Sequence, residues 1–246
     1  MIRSERSGDL RWIWIDRPDK HNALTLQMIE AIGDELRRAA GETAVRGVVV
    51  AGIGPSTCSG VDLHEFAMGT PDSIRHLIGA LADTCAVARR CPKPVAMAIQ
   101  GHCYGGALEL ACACDFRAAA QGALLAMPEV MLGIPSVIDA ALLERHVGFG
   151  HTQELVLTGE PITAERALLW GLVNRVVEPE ELLESCRELL GRATRHDAGA
   201  IASQKRLFAD WLNLPLDDAV ERSKEVLVES FESGVPQKLA RARLRQ

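Results

Sequence analysis

GHCYGGALELACACD, residues 101–115, opens where one local pattern ends and another begins. The apolar run Val95 to Ile99 just before it reads as a buried strand, and Ala107 to Ala111 within it reads as the start of a helix. Between them the chain turns through Gly101 and the pair Gly105-Gly106. Glycines at such a junction let backbone approach a ligand closely. They also leave the first N–H groups of the helix unpaired, at the positive end of its dipole, where an oxyanion is favoured. Glu109 is the one carboxylate in the first turn of this otherwise apolar helix. Taken alone, it reads equally as an acid that complements the helix dipole.

A second carboxylate breaks that balance. Glu129 follows Pro128 inside another apolar run, residues 123–134. Carboxylates in apolar settings are costly unless they are paired or used. Two of them, together with Gly106 between strand and helix, point to acid–base chemistry beside an oxyanion hole.

Three further segments carry a resemblance. These are DRPDKHNAL (residues 16–24), GPSTCSGVDL (54–63) and LTGEPITAERALLWGLVNRVV (157–177). With the central stretch and Met127-Pro128-Glu129, they make the chain resemble the crotonase (enoyl-CoA hydratase/isomerase) superfamily from about residue 13 to the C-terminus. The resemblance implies an α/β fold: a crotonase-like spiral of ββα units over residues 1–195, and a C-terminal helical region, 196–246, used in packing and trimerisation. It also implies that the backbone N–H groups of Val61 and Gly106 form the oxyanion hole. Glu109 is then the base toward water, and Glu129 exchanges the proton at C2. Ala23, Ser59, Gly60, Asp62, Leu63, Tyr104, Gly105, Pro128, Leu132 and Gly133 are the expected substrate contacts, with Asp62 also capping the helix after it. Coenzyme A enters as part of an acyl-CoA thioester substrate, so no metal and no bound cofactor are expected. The expected assembly is a homotrimer or a dimer of trimers.

Retaining both glutamates favours hydration of a 2-enoyl-CoA across C2=C3. The family also contains isomerases, acyl-CoA hydrolases and non-catalytic CoA-thioester binders, and this chain departs from its pattern in two places. Thr57 stands where an aromatic residue is usual. Ser136-Val137-Ile138-Asp139 replaces a glycine-rich stretch, so the acyl end of the pocket is expected to be reshaped. Asp139 reads as the N-cap of a helix over residues 140–146, or else as a third carboxylate near the acyl chain.

The rest of the sequence bounds the setting. A chain of 246 residues, nearly half hydrophobic, is long enough for a packed core. Its net charge of −6 argues against a nucleic-acid surface. The first sixteen residues carry Arg3, Glu5, Arg6 and Asp9 and show no signal-peptide pattern. No apolar run reaches the ~18–20 residues of a membrane span. The seven cysteines are odd in number and match no zinc spacing, which fits free thiols in a cytoplasmic protein. Helices are expected over residues 25–40, 71–90, 180–194, 200–212 and 217–232, and strands over 11–15, 47–53, 115–119 and 122–126. Lys205, Arg206 and the basic tail 238–245 read as solvated surface, or as partners for CoA phosphates.

Overall fold

A computed structural model describes residues 1–245. The first half runs β1 (Ile2–Ser7), β2 (Leu10–Ile15), α1 (Leu26–Gly41), β3 (Gly47–Gly52), α2 (Leu63–Ala67), α3 (Pro71–Arg90), β4 (Val95–Ile99), β5 (His102–Tyr104) and α4 (Gly106–Ala113). Then follow β6 (Phe116–Ala120), β7 (Leu124–Ala126), α5 (Leu143–Thr158), β8 (Ile162–Thr163), α6 (Ala164–Leu169) and β9 (Arg175–Val177). Four helices close the chain: α7 (Leu182–Thr194), α8 (Ala198–Asn213), α9 (Leu216–Glu232) and α10 (Val235–Arg243).

One sheet has the order β1-β2-β3-β4-β6-β9, with β1 antiparallel to β2 and every other pairing parallel. Both of its faces are covered, which is why β3 reads as an unbroken apolar run. Val48 and Val50 join Ile13, Ile15, Met97 and Ile99 under α1, α3 and α4. Val49 and Ala51 point the other way, onto Leu182, Cys186, Leu189 and Leu190 of α7. The helix expected at 25–40 begins on Thr25, whose hydroxyl accepts the Met28 N–H at 3.3 Å.

The second sheet, β5-β7-β8, brings the chemistry together. The chain leaves β4 at Ile99 and enters β5 three residues later. There His102 pairs with Leu124 and Tyr104 with Ala126. Gly105 continues the ladder by donating to Ala126 O at 2.9 Å. The Tyr104-Gly105-Gly106 junction is therefore clamped beside Met127-Pro128-Glu129, although more than twenty residues separate them in sequence.

Two readings are corrected here. Asp139 is no N-cap: it lies inside a 3-10 turn, Ile138–Leu142, that runs directly into α5. Its buried carboxylate is ion-paired with Arg89 of α3, so it is not a third carboxylate facing the cleft. Lys205 is neither solvated nor available to a phosphate. Its ammonium is buried against the Asp115 carboxylate and the carbonyls of Lys93 (3.1 Å) and Ala88 (3.4 Å). The periodicity of α8 places Lys205 on its inward face, and a lysine is accepted there only because Asp115 meets it. Arg206 is exposed, as expected.

Candidate active site

Everything depends first on the loop between β3 and α2. Thr57 is fully buried. Its hydroxyl donates to Ala98 O at 3.0 Å and accepts the Gln100 N–H at 2.7 Å. Cys58 N–H donates to His102 O at 2.9 Å, and Tyr104 N–H to Cys58 O at 3.2 Å. The residue that replaces the usual aromatic thus ties the loop to the β4–β5 passage by hydrogen bonds. Asn22 secures the loop from the other side. Its amide donates to Ile53 O (3.0 Å) and Ser56 O (2.6 Å), and its carbonyl oxygen accepts the Arg17 N–H (2.7 Å). The DRPDKHNAL segment therefore holds the loop in place through a buried polar residue.

Leu24 then orients Val61. Leu24 N–H donates to Gly60 O and Leu24 O accepts the Asp62 N–H, both at 2.8 Å. In extended chain, successive N–H groups alternate sides, so the Val61 N–H points away from Leu24. The Asp62 side chain accepts the N–H groups of His64 (2.9 Å) and Glu65 (3.1 Å) at the start of α2 and pairs with Arg17. Burial pushes the Asp62 carboxyl upward, but the Arg17 hydrogen bond and those two N–H groups outweigh it and hold it below its ordinary value.

The second donor opens α4. Gly106 is the first residue of that helix, where an N–H has no acceptor within the helix. A Cβ on Gly106 would lie 2.7 Å from Leu81 Cδ2 and 3.5 Å from Val61 Cγ2. The two backbone donors thus sit in adjoining walls, and a side chain at position 106 would have to displace Leu81.

Glu109 follows one turn later, only 3 % exposed, and its Oε2 has no hydrogen-bond partner within the protein. Burial and then the charge of Glu129 push its carboxyl up from 4.5 to about 8, opposed by the Val137 N–H. Near neutrality it is mostly the protonated acid. Glu129 sits in the 3-10 turn Pro128–Leu132. Its Oε2 accepts the Ser136 hydroxyl at 2.9 Å. Its Oε1 lies 2.6 Å from where a Cβ on Gly105 would be, and Gly105 has a φ of +53°. Only glycine satisfies both constraints.

Val61, Gly106, Glu109 and Glu129 face one cleft of about 710 Å³. Of the residues expected from the sequence, Glu109, Glu129, Val61, Gly106, Ala23, Ser59, Gly60, Asp62, Leu63, Tyr104, Gly105, Pro128 and Leu132 line it. Gly133 does not; it ends the 3-10 turn in a left-handed conformation. Ile138, of the segment expected to reshape the acyl end, also lines the cleft; so do Arg17, Lys20, Phe66, Ile78 and Leu81, which were not anticipated there. The apolar face of α3, legible as periodicity, was the available signal for Ile78 and Leu81. A groove of similar volume, 700 Å³, between α1 and α3 is lined by charged side chains such as Glu30, Asp34, Arg37 and Arg75, with no buried acid. Among the described residues, no group of three His, Cys, Asp or Glu is placed to hold a metal. The arrangement suits a carbonyl oxygen that gains negative charge, next to two carboxyls able to hold one proton between them.

Comparison with known proteins identifies the family. The family model for enoyl-CoA hydratase/isomerase matches residues 5–238. The carnitinyl-CoA dehydratase of Salmonella typhi is 32% identical over 230 residues, covering 93% of this chain and 87% of that protein. The crystal structure of an enoyl-CoA hydratase from Bacillus anthracis superposes with a TM-score of 0.87 at 29% identity, covering 92% of this chain and 89% of that one. The structure of Pseudomonas aeruginosa DspI gives a TM-score of 0.89 at 26% identity, covering 94% of this chain and 96% of that one. With a family match over nearly its whole length and the same fold as solved members, this chain belongs to the enoyl-CoA hydratase/isomerase family, within the crotonase superfamily.

Proposed function

We propose that the chain is an enoyl-CoA hydratase-type lyase that adds water reversibly across the C2=C3 bond of a 2-enoyl-CoA thioester. The observation that carries this reading is the glutamate pair: a buried, proton-holding Glu109 and a hydrogen-bonded Glu129 in one cleft, beside the N–H groups of Val61 and Gly106. Those two N–H groups would receive the thioester oxygen as it becomes an enolate; each such donor is commonly worth ~2.7–4 kcal/mol. Hydration needs one proton on the pair. Near neutrality it rests on Glu109, opposite to the base role expected of that residue from the resemblance. A water bridging the two carboxyls would relay it to Glu129. Glu109 then takes a proton from the water as its oxygen attacks C3, and Glu129 delivers a proton to C2. The pair is restored after one water has been added, and its titration belongs to both groups.

The test is loss of conjugated-thioester absorbance with short, branched and medium 2-enoyl-CoAs. Glu109→Gln and Glu129→Gln should each lower kcat by about 10²–10⁴-fold, and a wild type that consumes none of these substrates would sink the reading. One feature favours a second reading. Two carboxyls that hold one proton between them leave a single carboxylate, which suffices to shuttle a proton in a 3-enoyl to 2-enoyl isomerase. Absorbance gained from a 3-enoyl-CoA, dependent on Glu129 but not on Glu109, would decide for it.

The assembly we propose is a homotrimer or dimer of trimers. Its support is the apolar side chains that α8 and α9 leave in solvent, among them Phe208, Trp211, Leu227 and Phe231; the mass by light scattering tests it. The seven unpaired, buried cysteines support a cytoplasmic setting.

A further inference from the structure

The segment Ser136-Val137-Ile138-Asp139 is where the sequence departs from its family's pattern, and it reaches both glutamates. The Ser136 hydroxyl donates to Glu129 at 2.9 Å. The Val137 N–H acts on the Glu109 carboxyl. Ile138 has a φ of +50°, an uncommon conformation for a β-branched residue that only strong surrounding contacts maintain. Those contacts follow at once: Asp139 is buried and ion-paired with Arg89 of α3. The strained turn is thus anchored at its far end, and its near end sets Ser136 against Glu129.

Ser136 itself does not line the cleft, whereas its neighbours Pro135 and Val137 do. Its hydroxyl approaches the carboxylate from behind, so Ser136 is not placed to attack a substrate. Ser136 holds Glu129 through Oε2, while Oε1 occupies the space that a side chain at Gly105 would fill.

We propose that Ser136 is a positioning residue for the reaction: its hydroxyl orients the Glu129 carboxyl and, by donating to it, favours its ionised form. This rests on the proposed acid–base role of the two glutamates. The titratable groups facing the same space are Glu109 on α4, Tyr104 at the end of β5, Asp62 and His64 at the start of α2, and Arg17 and Lys20 from the opening loop. Among the described residues, none of them is hydrogen-bonded to the Glu129 side chain; Ser136 is.

The experiment reads Glu129 without substrate. Protein labelled with ¹³C at glutamate carboxyls is titrated by NMR, and the Glu129 signal is assigned by its loss in Glu129→Gln. A hydrogen bond to a charged group is a strong one, so Ser136→Ala should move the Glu129 titration upward by about one pH unit. Ser136→Gly, which also lacks the hydroxyl, should do the same, and Ser136→Thr should stay near wild type. In kcat/KM profiles the acid limb should rise with the Ala and Gly variants while the alkaline limb stays in place. Both charge states joined by the alkaline step contain ionised Glu129, so the lost bond cancels there. A Glu129 titration unmoved in both Ala and Gly variants overturns the proposal. If the titration moves as expected but wild type hydrates no 2-enoyl-CoA, the hydratase reading fails and the role of Ser136 in ordering the pair stands.

Discussion

Glu109→Gln should remove activity and, as the pH rises, make the fold progressively more stable than wild type. The reasoning begins with a carboxyl that burial and Glu129 push from 4.5 to about 8. A raised carboxyl means that the folded state holds the proton more tightly than the unfolded chain. Its stabilising contribution is therefore complete below 4.5, declines as the pH climbs, and is gone above 8. Each pH unit inside that window costs wild type up to ~1.4 kcal/mol, so between pH 5 and 8 the loss is about 3 kcal/mol. For a chain of this size that is roughly 6–12 °C in Tm. Glutamine does not titrate. Its amide adds a constant penalty or gain at every pH, so the quantity to measure is the change with pH of the Tm difference between the two proteins. Paired thermal melts at pH 5, 6, 7 and 8 supply it. The gap should shift steadily in favour of Glu109→Gln over that range, levelling off near 8. A gap that stays flat would refute the buried, proton-holding state of Glu109 and the division of labour built on it.

Three other outcomes follow from the same geometry. Gly105→Ala places a methyl 2.6 Å from Glu129 Oε1 at a φ of +53°. It should lower kcat at least tenfold and cost about 1–3 kcal/mol of stability, read by steady-state kinetics and urea titration; an unchanged kcat would show that Glu129 need not sit where it does. Ile138→Gly relieves the positive φ and opens the cleft wall, so kcat/KM for medium relative to short acyl chains should rise. An unaltered ratio would remove Ile138 from the acyl site. Lys205→Met leaves Asp115 without its buried cation and should cost about 3–5 kcal/mol. It should leave KM for an acyl-CoA unchanged, since Lys205 sits on the inward face of α8 and does not line the cleft.

Much of this protein was written in local patterns. The alternating and continuous apolar runs named β2, β3 and β4, and the 3.6-residue spacing named α1, α3, α7, α8 and α9, because burial of one face or both imposes those periods. Glu109, Glu129 and the glycines beside them stood out because a carboxylate in apolar surroundings, or a glycine between strand and helix, has a cost that some other feature must offset. β1 went unseen because its residues are largely exposed and alternate charges rather than apolar groups. β5 went unseen because three residues are too few to show a period.

What no stretch of sequence could specify was which distant groups meet. The proton on Glu109 depends first on the packing that buries it and then on Glu129 arriving through the β5–β7 pairing. The orientation of Glu129 depends on Ser136, seven residues on, just before a turn strained at Ile138. Asp139 looked like a helix cap because a cap is a local property, yet Arg89, fifty residues earlier, claims it in an ion pair. Lys205 looked like surface until Asp115, ninety residues earlier in the chain, was found against it. Periodicity and backbone conformation are set over a few residues and can be read along the chain. Charge state, hydrogen-bond partner and pocket shape are set by whatever lies within a few ångströms, and only the packed chain determines that.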